Sequence, residues 1–95
     1  MLKLKFYTDP AHGWVAVKLH VLYDLGLIEK VSPYSYIRGK TAYLEEDCDA
    51  SLLISTLQDK NIVYTITEKN YPIKLCPIRS YDGYNFNQAY MTLKG

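Results

Sequence analysis

The chain lacks long apolar runs and has almost no net charge. Its uninterrupted apolar stretches are only a few residues long, whereas a helix that spans a membrane needs about 20. Eleven basic and ten acidic residues leave a formal charge of +1, so neither sign dominates the whole surface. These absences argue against a membrane protein and against a nucleic-acid binder driven by phosphate contacts, although a local basic patch is compatible with a neutral total.

Cysteine, phenylalanine and tryptophan are also scarce. The two cysteines are Cys48 and Cys76, and the segment "MLKLKFYTDP" alternates instead of forming the apolar core of a secretory signal. Since disulfides belong mainly to secreted proteins, we expect two reduced thiols and a cytoplasmic protein. The aromatic residues are instead mostly tyrosine, ten against two phenylalanines and one tryptophan. Tyrosine suits half-buried strands and protein interfaces, because it combines an apolar ring with a polar tip.

The pattern along the chain predicts a single compact domain over residues 1–95. A hydrophobic share of 48% is ordinary for a globular chain, and 95 residues leave no room for a second core. Period-two alternation and β-branched or aromatic runs predict strands at residues 2–7, 14–17, 34–36, 41–45 and 62–68. A further strand is expected at residues 73–81, which Pro77 either confines to a sheet edge or interrupts. The C-terminal tail is expected either to carry a last short strand near residues 89–93 or to be loosely docked.

Two helices are predicted beside these strands. A short helix over residues 18–25 should end at Gly26, which suits the left-handed position after a helix. The main helix should begin at Asp49 and end near Lys60 and Asn61. Its apolar stripe consists of Ala50, Leu53, Ile54 and Leu57. We therefore expect an α+β fold, a small antiparallel sheet with one main helix and one short helix packed on it.

The acidic segment "YLEEDCDASLLISTL" has two interpretations. In the favoured one, Asp49 caps the main helix while Glu46 and Asp47 complement its dipole. In the alternative, Asp47 and Asp49 hold magnesium beside a phosphate substrate, with His12 as a further group of a small enzyme. The segment lacks the spaced donors and glycine of a calcium loop and the Cys/His set of a zinc site. The favoured interpretation predicts no metal site, no cofactor and no catalytic residue.

Aromatic and basic residues in loops and a hairpin are the candidate binding groups. "DPAHGW" places a histidine beside the tryptophan in a predicted turn, and "YSYIRGK" places two tyrosines before an arginine. Tyrosine and arginine are common anchors of protein interfaces and also grip anionic ligands. The predicted binding residues are His12, Trp14, Tyr34, Tyr36, Arg38, Arg79 and Tyr81. A purely structural alternative has Asp9 capping the turn and Gly13 supplying unusual backbone angles.

The segments "DPAHGW", "YSYIRGKTAYLEEDCDASL" and "IRSY" resemble a group of small hypothetical proteins encoded by bacteriophages, plasmids and their bacterial hosts. The match spans most of residues 9–57 and then becomes thin. Ala11 stands where the pattern of that group often has a glycine. The resemblance implies a mobile-element setting and a location in the host cytoplasm. It assigns no activity and no catalytic residue.

Together these observations predict a non-enzymatic accessory protein of a phage or mobile element. It would bind a host or defence component, either a protein or a small nucleotide-like anionic ligand, and could act as a counter-defence inhibitor. The alternative is the small metal- or phosphate-dependent enzyme that uses Asp47, Asp49 and His12. Nucleic acid and membrane are not expected partners, whereas exposed strand edges favour pairing of two copies into a homodimer.

Overall fold

A computed structural model describes residues 1–71 and 77–95 of the chain. The strands are β1 (Leu2–Thr8), β2 (Gly13–Lys18), β3 (Tyr36–Arg38), β4 (Thr41–Glu45), β5 (Tyr64–Asn70) and β6 (Asp82–Gly83). The helices are α1 (Leu19–Asp24), α2 (Asp49–Asp59) and α3 (Phe86–Lys94), and a 3-10 turn covers Pro77–Ser80. The strands form one sheet in the order β5-β1-β2-β4-β3-β6. The predicted α+β fold is confirmed.

One sheet face forms the core with the helices. Strand residues that point to this face include Leu4, Val15 and Leu44, and each is at most 4% exposed. From α2, Leu53 and Leu57 pack against them, both fully or almost fully buried. Fully burying such side chains contributes roughly 1.5–3 kcal/mol each. The alternation along β1 and the stripe along α2 thus predicted this face correctly.

The opposite sheet face carries an aromatic cluster. Side chains alternate across a strand, so the register places Tyr7 opposite Trp14, and Tyr36 opposite Tyr43, on this second face. Trp14 is 3% exposed because the 3-10 turn lies against it through Ile78. Among the described residues, one sheet face is therefore covered by helices, and the other is covered at one end by the 3-10 turn.

Helix ends follow the predicted positions closely. Helix α1 ends at Asp24, and Gly26 follows with a φ of 74°, where its backbone N–H donates to the Tyr23 carbonyl. Helix α2 is followed by Lys60 and by Asn61, which adopts a left-handed φ of 56°. No helix in the described ranges has the length and apolar character needed to cross a membrane.

The C-terminal prediction is wrong. The expected short strand at residues 89–93 is instead part of α3, because the Asn85 side chain accepts a hydrogen bond from the Gln88 N–H at 3.1 Å and caps a helix. Ala89 and Leu93, four positions apart, then face the core. Upstream of α3, residues Pro77–Ser80 form the 3-10 turn instead of part of an edge strand. Residues 73–76 of that predicted strand, with Cys76, lie outside the described residues.

Two strand details also differ from the sequence prediction. Strand β5 runs parallel to β1, whereas every other pair in the described sheet is antiparallel. Tyr34 was expected within the first arm of the hairpin, but that arm begins at Tyr36. Tyr34 precedes it in a turn and is 80% exposed. The hairpin turn at Gly39 and the return arm β4 are as predicted.

The hydroxyl of Tyr84 supports the loop after α1, and its removal should destabilise the fold. Tyr84 is 3% exposed and donates to the Ile28 carbonyl at 2.6 Å. Burial, helped by the Asp49 charge, raises the pKa of Tyr84 to about 12, so the hydroxyl stays protonated. Tyr84→Phe should lower the free energy of unfolding by about 1–2 kcal/mol, since a buried carbonyl loses its donor. Urea unfolding measures this, and Tyr90→Phe, on an exposed tyrosine, should change it little.

Candidate functional site

The turn between β1 and β2 is organised by Asp9. Its Oδ1 accepts hydrogen bonds from the backbone N–H groups of Ala11 and His12, both at 2.9 Å. The backbone N–H of Asp9 donates in turn to the His12 carbonyl at 2.9 Å. The predicted capping role of Asp9 is confirmed. The predicted role of Gly13 is wrong, because it adopts no positive φ; a Cβ there would instead lie 2.7 Å from the Phe6 ring.

Asp9 also forms an ion pair with Arg79, which lies 70 positions later in the sequence. The Arg79 Nε donates to Oδ2 at 2.6 Å, and a second guanidinium nitrogen donates to Oδ1 at 3.0 Å. The Asp9 side chain is fully buried and that of Arg79 is 27% exposed. The guanidinium carbon lies 5.4 Å from the centre of the Trp14 ring. Arg79 therefore joins the early turn, the tryptophan and the 3-10 turn.

Glu45, not Asp49, caps helix α2, so the sequence prediction is wrong on this point. Glu45 Oε1 accepts from the backbone N–H groups of Cys48 at 2.7 Å and of Asp49, the first residue of α2, at 3.4 Å, and Oε2 accepts from that of Asp47 at 3.2 Å. Partial burial raises the pKa of the Glu45 carboxyl, but the backbone N–H groups outweigh it and hold the pKa below its usual value. Glu45 is therefore an ionised carboxylate at neutral pH.

Asp49 has a different task, in a buried network with two serines. It is 4% exposed, and its Oδ2 accepts from the Ser32 hydroxyl at 2.6 Å and from the Ser35 hydroxyl. Ser35 also accepts from the Glu45 backbone N–H at 3.0 Å. The network joins the start of α2 to the loop before β3. Asp47, by contrast, is exposed, so the two aspartates that were paired in the enzyme hypothesis lie in different environments.

A groove opens where the β1–β2 turn, the loop before β3 and the loop before α2 meet. Its volume is about 370 Å³, within the range of small-ligand sites. Its lining residues are His12, Trp14, Tyr34, Tyr36, Glu45, Asp47, Cys48 and Arg79. We call it the aromatic groove. Five of the seven predicted binding residues line it, brought together from three separate parts of the chain.

The aromatic groove is acidic. Glu45 and Asp47 contribute two carboxylates, and the Arg79 charge is opposed by the buried Asp9. The Trp14 ring lies edge-on to Tyr36, with 6.1 Å between the ring centres, and at the same distance from the His12 ring. The groove therefore combines aromatic walls with excess negative charge, a combination that suits a cationic group.

The remaining two predicted residues lie beside the groove. Arg38 stacks on Tyr81, with its guanidinium carbon 4.9 Å from the ring centre. Tyr81 packs on Tyr43 with 5.1 Å between centres, and Tyr43 meets Tyr7 at 6.1 Å. These rings form a row that continues the aromatic surface away from the groove. The sequence did not indicate Glu45 as a groove residue, and it indicated Asp47 only for the alternative magnesium site with His12.

Within residues 1–71 and 77–95, no three side chains of His, Cys, Asp or Glu lie close enough together to hold a metal ion. Cys48 and His12 both line the aromatic groove, but no hydrogen bond joins the two side chains in the described structure. A cysteine nucleophile requires a base within hydrogen-bond reach. Within the described residues, Cys48 therefore has no histidine base at hydrogen-bond distance.

Replacing Arg79 should loosen the groove around the tryptophan. Arg79→Ala leaves the buried Asp9 carboxylate without its guanidinium, so we expect a loss of up to about 3 kcal/mol in the free energy of unfolding. Because Trp14 is the one tryptophan of the chain, its fluorescence should shift to longer wavelength and become more accessible to acrylamide. Arg38→Ala is the matched control, since Arg38 is exposed and should cost less than about 1 kcal/mol. Identical spectra for the two variants would contradict the assigned role of Arg79.

Replacing Glu45 should produce a pH-dependent loss of stability. Glu45→Ala removes the helix cap and should cost about 1 kcal/mol at neutral pH. Folding lowers the pKa of this carboxyl, so its stabilisation is present above the ordinary value of 4.5 and is lost as pH falls through the lower folded value. Urea unfolding from pH 7 to pH 3 should therefore show the difference between wild type and variant shrinking at the acidic end. Glu29→Ala, in an exposed loop, should show no such trend.

Comparison of the chain with protein-family models, with curated proteins and with solved structures gives no match in any of the three. The resemblance to small phage and plasmid proteins therefore stays a prediction. Roles for individual residues come from the geometry of the aromatic groove and of the sheet face beside it. That geometry places an acidic groove with aromatic walls at one end of the sheet.

Proposed function

We propose that the protein is a non-enzymatic binding protein, an accessory protein of a phage or other mobile element that acts on a host or defence protein. The mobile-element setting rests on the resemblance of residues 9–57 described above. The observation that supports the binding role is the aromatic groove, which brings His12, Trp14, Tyr34 and Tyr36 to one place beside two carboxylates. By occupying a surface that the host protein needs, such a binder would act as a counter-defence inhibitor.

The charge of the groove favours a protein partner over a small anionic ligand. Glu45 and Asp47 repel an anion, and the guanidinium of Arg79 is already paired with Asp9. A lysine or arginine side chain of a partner would instead meet carboxylates and the faces of Trp14 and Tyr36, which attract cations. We therefore propose that the groove holds a cationic side chain exposed on the partner.

The exposure of Tyr34 supports the same function. At 80% exposed, it is the most exposed aromatic side chain in the described structure. Its backbone is fixed, since its N–H donates to the Ser32 hydroxyl at 3.3 Å and Ser32 is held by Asp49. A large exposed ring on a fixed backbone, at the rim of a groove, is typical of an interface anchor, because tyrosine buries much area at little entropic cost.

Titration with small cationic probes tests this proposal directly. N-acetyl-arginine methylamide and N-acetyl-lysine methylamide should shift the amide NMR signals of residues 12, 14 and 45–48, whereas N-acetyl-glutamate methylamide should not. Asp47→Asn removes one carboxylate without changing the shape of the groove and should weaken the binding of both cations several-fold, with the loss decreasing at high salt. Equal responses to the cationic and acidic probes would refute the charge argument.

The partner itself is tested by capture from bacterial lysate with matched tyrosine variants. Tyr34→Ala should reduce capture of a specific protein about tenfold or more, because an interface anchor is lost. Tyr23→Ala is the control, since Tyr23 is 53% exposed on α1, on the helix side of the sheet, and should capture as much as wild type. A protein captured equally by both variants does not use the groove.

A further inference from the structure

The sheet face that carries the aromatic row also carries a group of basic side chains. Residues that lie opposite each other on neighbouring strands point their side chains to the same face of the sheet. The pairs that lie on this face are Lys3–Thr65, Lys5–Ala16, Lys18–Thr41, Arg38–Thr41 and Tyr7–Lys69. We call this surface, with its basic residues Lys3, Lys5, Lys18, Arg38 and Lys69, the lysine face. All five are exposed.

The lysine face has few opposing charges. Among its described strand residues the one carboxylate is Glu45, which lies at the end near the aromatic groove and accepts hydrogen bonds from backbone N–H groups just before α2. Glu68 pairs with Phe6 and so points to the other side of the sheet, where α2 also carries Asp59. None of the five basic residues forms an ion pair within the described ranges. A total charge of +1 is therefore compatible with a local excess of positive charge on the lysine face.

A shallow groove of about 300 Å³ runs along this face. Its side-chain lining on the outer side consists of Lys3, Lys5, Tyr7, Ala16, Lys18, Thr41 and Tyr43. The rings of Tyr7 and Tyr43 are half-buried and meet edge to face. Lysines thus border a floor of small residues and aromatic rings. The aromatic groove at the other end is bordered by carboxylates, so the two surfaces select opposite charges.

We propose that the lysine face binds single-stranded nucleic acid. Lys3 and Lys5 stand two residues apart on one side of β1, about 7 Å along the strand, so they can contact neighbouring phosphates of a single strand. Tyr7 and Tyr43 offer ring surface for bases, which stack on aromatic side chains in single-strand-binding proteins. A duplex keeps its base faces stacked inside the helix and cannot use these rings. The occupant that matches both the charges and the rings is therefore a single strand.

Fluorescence anisotropy with labelled oligonucleotides tests the proposal. A fluorescein-labelled oligothymidylate of about 12 nucleotides should bind at low salt, and its affinity should fall steeply with salt. Each phosphate contact contributes about −0.7 to the slope of log K against log salt, so three lysine contacts predict a slope near −2. The triple variant Lys3→Gln, Lys5→Gln, Lys18→Gln should lose at least about tenfold in affinity at about 50 mM salt and flatten the slope.

A second triple variant controls for net charge. Lys30→Gln, Lys60→Gln and Lys94→Gln remove the same charge from exposed positions outside the lysine face, and the oligonucleotide affinity should change less than about twofold. Circular dichroism and thermal unfolding should show that both variants fold like wild type. Absence of binding at low salt, or equal losses in the two triple variants, would overturn the proposal. Equal or tighter binding of a duplex of the same length would overturn the choice of a single strand.

The result of the oligonucleotide titration does not depend on the aromatic groove. Tyr34→Ala should keep the oligonucleotide affinity of wild type, because Tyr34 lines the aromatic groove and not the lysine face. The triple lysine variant should likewise keep its response to N-acetyl-arginine methylamide. If one surface shows no binding, the binding of the other can therefore still be tested. If both bind, the protein can hold a protein side chain and a nucleic-acid strand on adjoining parts of one sheet face.

Discussion

The buried ion pair of Asp9 with Arg79 holds the candidate site together. Removing a carboxylate and a guanidinium from water is costly, and the cost is offset only when hydrogen bonds satisfy the buried oxygens. Asp9 meets this condition, since the same carboxylate also accepts from the backbone N–H groups of Ala11 and His12. One side chain therefore fixes both the local turn and the distant 3-10 turn. Through that turn it covers Trp14 and gives the aromatic groove one of its walls.

The fold could be predicted from the sequence wherever a local pattern determined the structure. Alternation in β1, the stripe of Leu53 and Leu57 in α2, and Gly26 after α1 each depend on neighbours a few positions away. Helix α3 was missed because its pattern is short, with Ala89 and Leu93 as the buried pair. The parallel pairing of β5 with β1 was missed for another reason, since register between distant strands leaves no local trace.

The candidate site divides in the same way. Residue types in loops indicated the aromatic residues, and five of the predicted binding residues line one groove. The sequence did not predict which carboxylate would cap α2. Asp49 was the obvious choice, but Ser32 and Ser35 hold it in a buried network, and Glu45 takes its place from the end of β4. Composition gives only the net charge of the whole chain, so it could not reveal that basic side chains gather on the lysine face.

The parallel pairing of β1 with β5 determines the order in which the parts of the molecule can fold. Thr8 and Asn70, bonded side chain to side chain at the end of this pair, are 62 positions apart, and closing such a long loop is slow compared with forming a hairpin. During synthesis β1 leaves the ribosome before β5 and Arg79, so it must wait for β5 to cover its outer edge and for Arg79 to pair with Asp9. Until then the nascent chain exposes an unpaired strand edge. We therefore expect the hairpin of β3 and β4 with α2 to form early, and β1 to become stable only after β5 and Arg79 have been made.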